Sequence, residues 1–360
     1  MSPYCYTLTL EPAAAAWRGP QQLVLKVAGE RITDVEYRPD LAPRQHTAHT
    51  SPLLQEVAHS CSTCTHAHCL AFSLAVEALL SLEIPLRATR LRLVAAELER
   101  ATSHLGTLDA LFSTMGLDAT ATPLAKLRNS CAQWLTLLVG APDGSTFILP
   151  GGLRRDLSET RRSELITLIA GASQRLYQIV DRVIDQRLIL ARTVNVGILT
   201  STAASQFRLR GPLARASGLK DDVRVDAPYG AYAALAPQVI TQEGGDVYAR
   251  IMLLLLETLE SLKLSDRALD DLPAGTLSAQ VPAALPVGVG EATVEAPRGA
   301  LRYRVESDGK RISGYRVEPA PQLDRLLART LLGQANLDDA VLIALSSDPC
   351  SACQRAGSDE

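Results

Sequence analysis

Two cysteine pairs of identical spacing, Cys61-Ser-Thr-Cys64 and Cys350-Ser-Ala-Cys353, stand near opposite ends of a 360-residue chain. Two residues between cysteines let both sulfurs converge on one metal centre. Most of the chain lies between the pairs, so a local zinc ribbon is excluded and any shared site is long-range. A long-range zinc site, a redox pair, unrelated surface thiols, and a nickel–iron or iron–sulfur centre remain open, because soft thiolates suit all these metals. The redox reading lacks the βαβ context it needs around Cys61. The other cysteines are Cys5, Cys69 and Cys131, and seven in all is an odd count. With no secretory signal in the opening residues, that makes a poor disulfide framework. Cys5, Cys69 and Cys131 read as ordinary small buried residues.

Composition narrows the class. Hydrophobic residues make up 47% of the chain, too much for disorder. Its 36 basic and 39 acidic residues leave a net charge of −3, which argues against an electrostatic nucleic-acid binder. The longest apolar run, Ile251 to Leu256, is too short to span a bilayer. Strand-like alternation covers Tyr4 to Leu10, Leu23 to Val27 and Arg31 to Tyr37. Helical periodicity then runs from His66 to Met115, reset at Pro85, with Leu91, Val94, Leu98 and Leu105 on the buried side of the second part. Further helices are expected over Pro123–Val139, Glu159–Leu190, Asp246–Leu262 and Pro321–Leu332. Strands return over Pro282–Val317, and Ala340–Leu345 reads as an apolar strand. The expected fold is α+β, a central helix bundle with small β elements near both ends of the chain. The expected units are a β unit at 1–45, a bundle core at 46–281 carrying the first pair, and a β-containing segment at 282–360 carrying the second.

Several stretches, in order, resemble one family. His59-Ser-Cys61-Ser-Thr-Cys64-Thr-His-Ala-His68 is one, and Phe72 to Glu77 with Ile84-Pro85 and Arg87-Ala88 another. Gly211 to Gly218 follows, with Asp222, Arg224, Asp226 and Tyr232. Gly245 to Arg250, Glu295-Ala-Pro297-Arg298-Gly299 and Asp348-Pro349-Cys350-Ser-Ala-Cys353 complete the series. Together they are similar to the large subunit of nickel–iron hydrogenases, in the energy-converting, group 4-like branch related to the 49 kDa-type subunit of respiratory complex I.

The resemblance implies a ferredoxin-linked oxidoreductase interconverting H2 with protons and electrons. It implies a nickel–iron centre with carbonyl and cyanide ligands on iron, Cys61 and Cys350 binding nickel terminally and Cys64 and Cys353 bridging to iron. It places Arg298 over the open face of the metals, where it assists or polarises H2 heterolysis. Asp348 pairs with it, Pro349 shapes the pocket, and His68 hydrogen-bonds a ligand sulfur. Glu77 reads as part of an internal ion pair or proton path. The implied partners are an iron–sulfur small subunit, further soluble and membrane subunits of a complex I-like assembly, and maturation proteins. The implied place is the cytoplasm, peripheral on the inner face of the cell membrane. The alternative is a complex I-like coupling subunit without hydrogenase activity, although relatives of that kind lose the cysteines kept here. Three positions depart from the pattern. His59 and Ser62 replace the family's arginine and glycine beside the first pair. Thr47 stands where an upstream loop carries a proton-relaying glutamate, leaving that transfer to a hydroxyl, His46, Glu56 or water. Arg355 falls one residue early after the second pair.

Overall fold

The computed structural model describes residues 4–11, 21–39, 53–61, 63–140, 147–282, 284–320, 323–351 and 353. The chain opens with three antiparallel strands in sequence order, β1 (Cys5–Leu10), β2 (Gln21–Ala28) and β3 (Arg31–Pro39). Leu8 faces Leu25, and Leu25 faces Val35. The two-residue period puts Leu23, Leu25 and Val27 on one buried face. β1 is exposed, and Cys5 with it, so the expectation of a buried Cys5 is corrected. As the outer strand, β1 adds only the partly buried Leu10 to the core.

Helices follow. α1 (Leu53–His59) leads into the first cysteine pair, which opens α2 (Thr65–Leu80). Pro85 caps α3 (Leu86–Thr114), whose Leu91, Val94, Leu98 and Leu105 are fully buried as their spacing requires. α4 (Asp118–Val139) begins before Pro123, contrary to the expected start. A hairpin, β4 (Ile148–Leu149) and β5 (Gly152–Leu153), turns at Pro150-Gly151. α5 (Glu159–Ile184) stops short of the expected Leu190, and α6 (Arg187–Thr193) restarts the chain. The buried stripe of α5 ends at Val183, and Ile184 and Leu188 face outward, so packing ceases to support one continuous helix. Four short helices, α7 (Ser201–Gln206), α8 (Pro212–Arg215), α9 (Val223–Asp226) and α10 (Tyr232–Leu235), precede α11 (Val247–Asp270), which runs past Leu262.

A second antiparallel meander, β6 (Val287–Ala296), β7 (Gly299–Asp308) and β8 (Ile312–Glu318), lies against α2. α12 (Arg325–Leu332) packs on β3, and a 3-10 turn at Leu337–Asp339 leads into α13 (Ala340–Ser346). α13 is a helix where a strand was expected. A short apolar run has no period to distinguish the two, and its near-complete burial suits either.

α3 is the axis of the bundle, flanked by α4 and α11, with α5 against α11. Backbone bonds stitch the two ends of the chain together: Ile32 N–H donates to Ala335 O at 3.0 Å, Gln334 N–H to Ile32 O at 2.9 Å, and Leu337 N–H to Glu30 O at 2.9 Å. Among the described residues no helix is long and apolar enough to cross a membrane.

Candidate metal centre

The end-to-end packing brings the two cysteine pairs together. Cys64 is the N-cap residue of α2, and Thr65 Oγ1 donates back to Cys61 O at 3.0 Å, which tightens the turn between the first two sulfurs. Cys61 and Cys64 Sγ are 3.2 Å apart, and Cys64 and Cys353 Sγ 3.9 Å. Thr63 Oγ1 touches Cys61 Sγ at 3.1 Å and Cys350 Sγ at 3.9 Å. All four are thiols; Cys61, Cys64 and Cys350 are buried and Cys353 is partly buried. The ligand atoms of Cys61, Cys64, His68 and Cys353 lie within 4.8 Å of one another.

Electrostatics favour a cation among them. Hydrogen bonds from Cys350 and Cys353 bring the Cys61 thiol down to about 5, and bonds from Cys353 and Cys61 bring Cys64 down to about 6. Cys353 is pushed far up because it donates to Cys350, Cys61 and Cys64. The helix N-terminus at Cys64 further favours thiolate. Four crowded sulfurs can lose all their protons together only when a metal takes the protons' place.

The surrounding groups hold the sulfurs from several elements. His68 is fully buried, with Nδ1 2.7 Å from Tyr303 Oη on β7 and Nε2 3.5 Å from Cys353 Sγ. Arg298, in the turn between β6 and β7, donates from Nε to Asp348 O at 3.2 Å and from Nη2 to Asp348 Oδ1 at 3.0 Å. Its Nη1 is buried with no partner. Burial works against the Arg298 charge, but Asp348 and the nearby sulfurs of Cys350 and Cys64 outweigh it and hold the guanidinium firmly charged. Gly211 sets its position: a Cβ there would lie 2.5 Å from Arg298 O, and φ is +78°. Asp348 adopts φ +48°, an uncommon conformation for this residue, which turns the chain from α13 into the second pair. Pro349 O accepts from Gln21 Nε2 at 3.1 Å, and Gln21 Oε1 accepts from Tyr37 Oη at 2.9 Å, so the N-terminal sheet supports the C-terminal pair.

The structure thus brings Cys61, Cys64, Cys350, Cys353, His68, Arg298, Asp348 and Pro349 together. Thr47, with His46, Ser62 and Arg355, lies outside the described residues. Glu77 is in a buried ion pair with Arg92 at 2.6 Å and accepts from Gly151 N–H. Sequence reasoning missed Glu99. Its two oxygens accept His66 N–H at 2.8 Å and Ala67 N–H at 3.0 Å, fastening the α2 N-terminus to α3. Burial pushes its carboxyl up to about 7. Nothing in the local sequence marks it, because the pairing is between helices.

Residues 115–288 match the family described as respiratory-chain NADH dehydrogenase, 49 Kd subunit. Formate hydrogenlyase subunit 5 of Escherichia coli (strain K12) is 30% identical over 341 residues, 93% of this chain. This chain spans 60% of that relative's length. The carbon monoxide-induced hydrogenase of Rhodospirillum rubrum is 28% identical over 361 residues, covering 97% of this chain and 98% of its own. Among solved structures, a chain of the membrane-bound sulfane sulfur reductase, an archaeal respiratory membrane complex, shares the fold with a TM-score of 0.88 at 24% identity, covering 98% of each chain.

Proposed function

Because this chain belongs to the group 4 hydrogenase-like branch of the 49 kDa-type subunit family, we propose that it is the catalytic large subunit of a membrane-associated nickel–iron hydrogenase. The observation that carries this reading is the convergence of four buried or partly buried thiols from both ends of the chain, two of them biased to thiolate. Cys61, Cys64, Cys350 and Cys353 would hold nickel and a carbonyl- and cyanide-bearing iron. When bound, such a centre supplies the interconversion of H2 with two protons and two electrons.

The chain's own residues prepare the site. Arg298 places a fixed positive charge whose Nη1 has no protein partner and is left to act on what occupies the centre. Asp348 orients that guanidinium through two contacts and is itself held by Thr107 Oγ1, which donates to Oδ1 at 3.0 Å. His68 spans Tyr303 and the Cys353 sulfur and fixes that sulfur's direction. Burial excludes water from the sulfurs of Cys61, Cys64 and Cys350 and strengthens the interactions around them.

Electrons would leave through an iron–sulfur cluster in a small partner subunit, since the remaining cysteines (Cys5, Cys69 and Cys131) form no cluster-binding arrangement. Further soluble and membrane subunits would hold the chain peripherally on the inner face of the cell membrane, with maturation proteins supplying the metals. The match to the NADH dehydrogenase 49 Kd subunit favours a second reading, a complex I-like coupling subunit without hydrogenase activity.

The test is nickel and iron content after coexpression with a hydrogenase maturation system. The first reading expects nickel in the wild type and its loss from Cys61→Ser and Cys350→Ser. Zinc in place of nickel, or no metal, would reject it.

A further inference from the structure

α2 leads from the first cysteine pair into an aromatic cluster. His68 and Phe72 stand one helical turn apart on α2, and both are buried. β7 lies against α2. The two-residue period of β7 puts Leu301, Tyr303 and Val305 on its buried side. There the Tyr303 ring meets His68 and Phe72 edge-on, with centroids 5.7 and 6.0 Å away. Tyr315 of β8 stacks against it at 5.9 Å. Three rings from two elements therefore fix the angle of the phenol. Its Oη stands 2.7 Å from His68 Nδ1, and the other ring nitrogen, Nε2, stands 3.5 Å from Cys353 Sγ.

A neutral imidazole carries one N–H, and its neighbours decide which nitrogen holds it. A thiolate sulfur only accepts hydrogen bonds, so with Cys353 as a ligand Nε2 must present the hydrogen to it. Nδ1 is then a bare acceptor inside the protein, and the hydroxyl that reaches it is that of Tyr303. Burial pushes the Tyr303 phenol far up, so its hydrogen stays in place. Ser60 Oγ is the phenol's other neighbour, and it gives its own hydrogen to Glu56 O at 3.2 Å. Were Tyr303 to donate to Ser60 instead, the hydrogen would sit on Nδ1. The bare lone pair of Nε2 would then face the thiolate, two acceptors with no hydrogen between them.

We propose that Tyr303 is a positioning residue for the metal centre: by donating to His68 Nδ1 it commits the Nε2 hydrogen to the Cys353 sulfur. The inference rests on the reading of Cys353 as a metal ligand. The hydrogen bond from Nε2 draws charge off that sulfur and fixes its direction. Tyr303→Phe keeps the ring that packs on Phe72 and Tyr315 and removes the hydroxyl alone. Nδ1 is then buried without a donor, the Nε2–H form loses its support, and the imidazole loses its angle.

The test is a double-mutant cycle read on nickel affinity, by competition with a chelator. Tyr303→Phe should lower the affinity about 10-fold and His68→Ala about 10–100-fold. With His68 gone, Tyr303 has nothing to act through, so adding Tyr303→Phe to His68→Ala should change affinity by less than about twofold. Equal losses in the two backgrounds would mean that Tyr303 only packs, and would overturn the inference. So would a Tyr303→Phe affinity within about twofold of wild type. In matured protein the lost hydrogen bond leaves more charge on the sulfur and, through it, on iron. The carbonyl and cyanide bands of Tyr303→Phe should then move to lower wavenumber, and unmoved bands overturn the inference. That shift decides alone should His68→Ala fail to fold. Wild-type protein that takes up no nickel defeats the metal-centre reading itself, and the inference with it.

Discussion

Glu99 is a carboxylate sealed between two helices, and its pH behaviour follows from that placement. Its ordinary value is 4.5, and burial raises it to about 7 in the folded chain. Below pH 4.5 both folded and unfolded chains hold the proton, and the group's contribution is fully present. Between 4.5 and 7 the unfolded chain releases a proton that the folded chain keeps, so stability is lost as pH rises through that window. The loss is on the order of 3 kcal/mol. The melting temperature of wild type should therefore fall relative to Glu99→Gln between those pH values; a parallel pair of curves would contradict it. Arg298 makes a different prediction. Its planar fork makes two contacts with Asp348 that a lysine ammonium cannot reproduce. Arg298→Lys should retain nickel and lose about 100-fold in H2 turnover, read from kcat at equal metal content. The four cysteines, Arg298 and Asp348 were legible in the sequence because spacing and family resemblance marked them. Glu99 was not. The charged residues Glu97, Glu99 and Arg100 beside the buried Leu98 carry no local signal of burial, and only the helices packed around them show it.

At the scale of elements, α3 carries the account. Its leucines were expected to form one buried side, yet Arg92, Glu97, Arg100 and His104 are buried too. A helix buried on all sides must satisfy its charges inside. Arg92 does so with Glu77 of α2 and the carbonyls of Leu149 and Gly152. Arg92→Ala would strand the Glu77 carboxylate and should destabilise the fold by about 3–5 kcal/mol in chemical denaturation. A loss under 1 kcal/mol would mean that Glu77 finds another partner. The α2, α3 and α11 helices were readable because their apolar spacing is long and regular. The break between α5 and α6 and the helical state of α13 were not. One depends on where tertiary packing stops, and the other on a run too short to show a period.

At the scale of the whole molecule, the chain closes on itself so that its first sheet supports its last cysteines. Gln21 of β2 holds Pro349 O, next to Cys350. Gln21→Leu keeps the volume and removes that bond. It should lower nickel affinity by about 10–100-fold, measured by competition with a chelator, with a much smaller effect on melting temperature. The spacing of the two pairs allowed this closure, but the contacts that enforce it, between Ile32, Gln334 and Ala335, are backbone bonds that leave no mark in sequence. The central claim is that the closure builds a nickel–iron centre. Infrared spectroscopy of protein matured with nickel tests it most directly, because metal-bound carbonyl and cyanide absorb where protein does not. The account expects one carbonyl and two cyanide bands, abolished in Cys64→Ser. A matured, folded protein without those bands would contradict it.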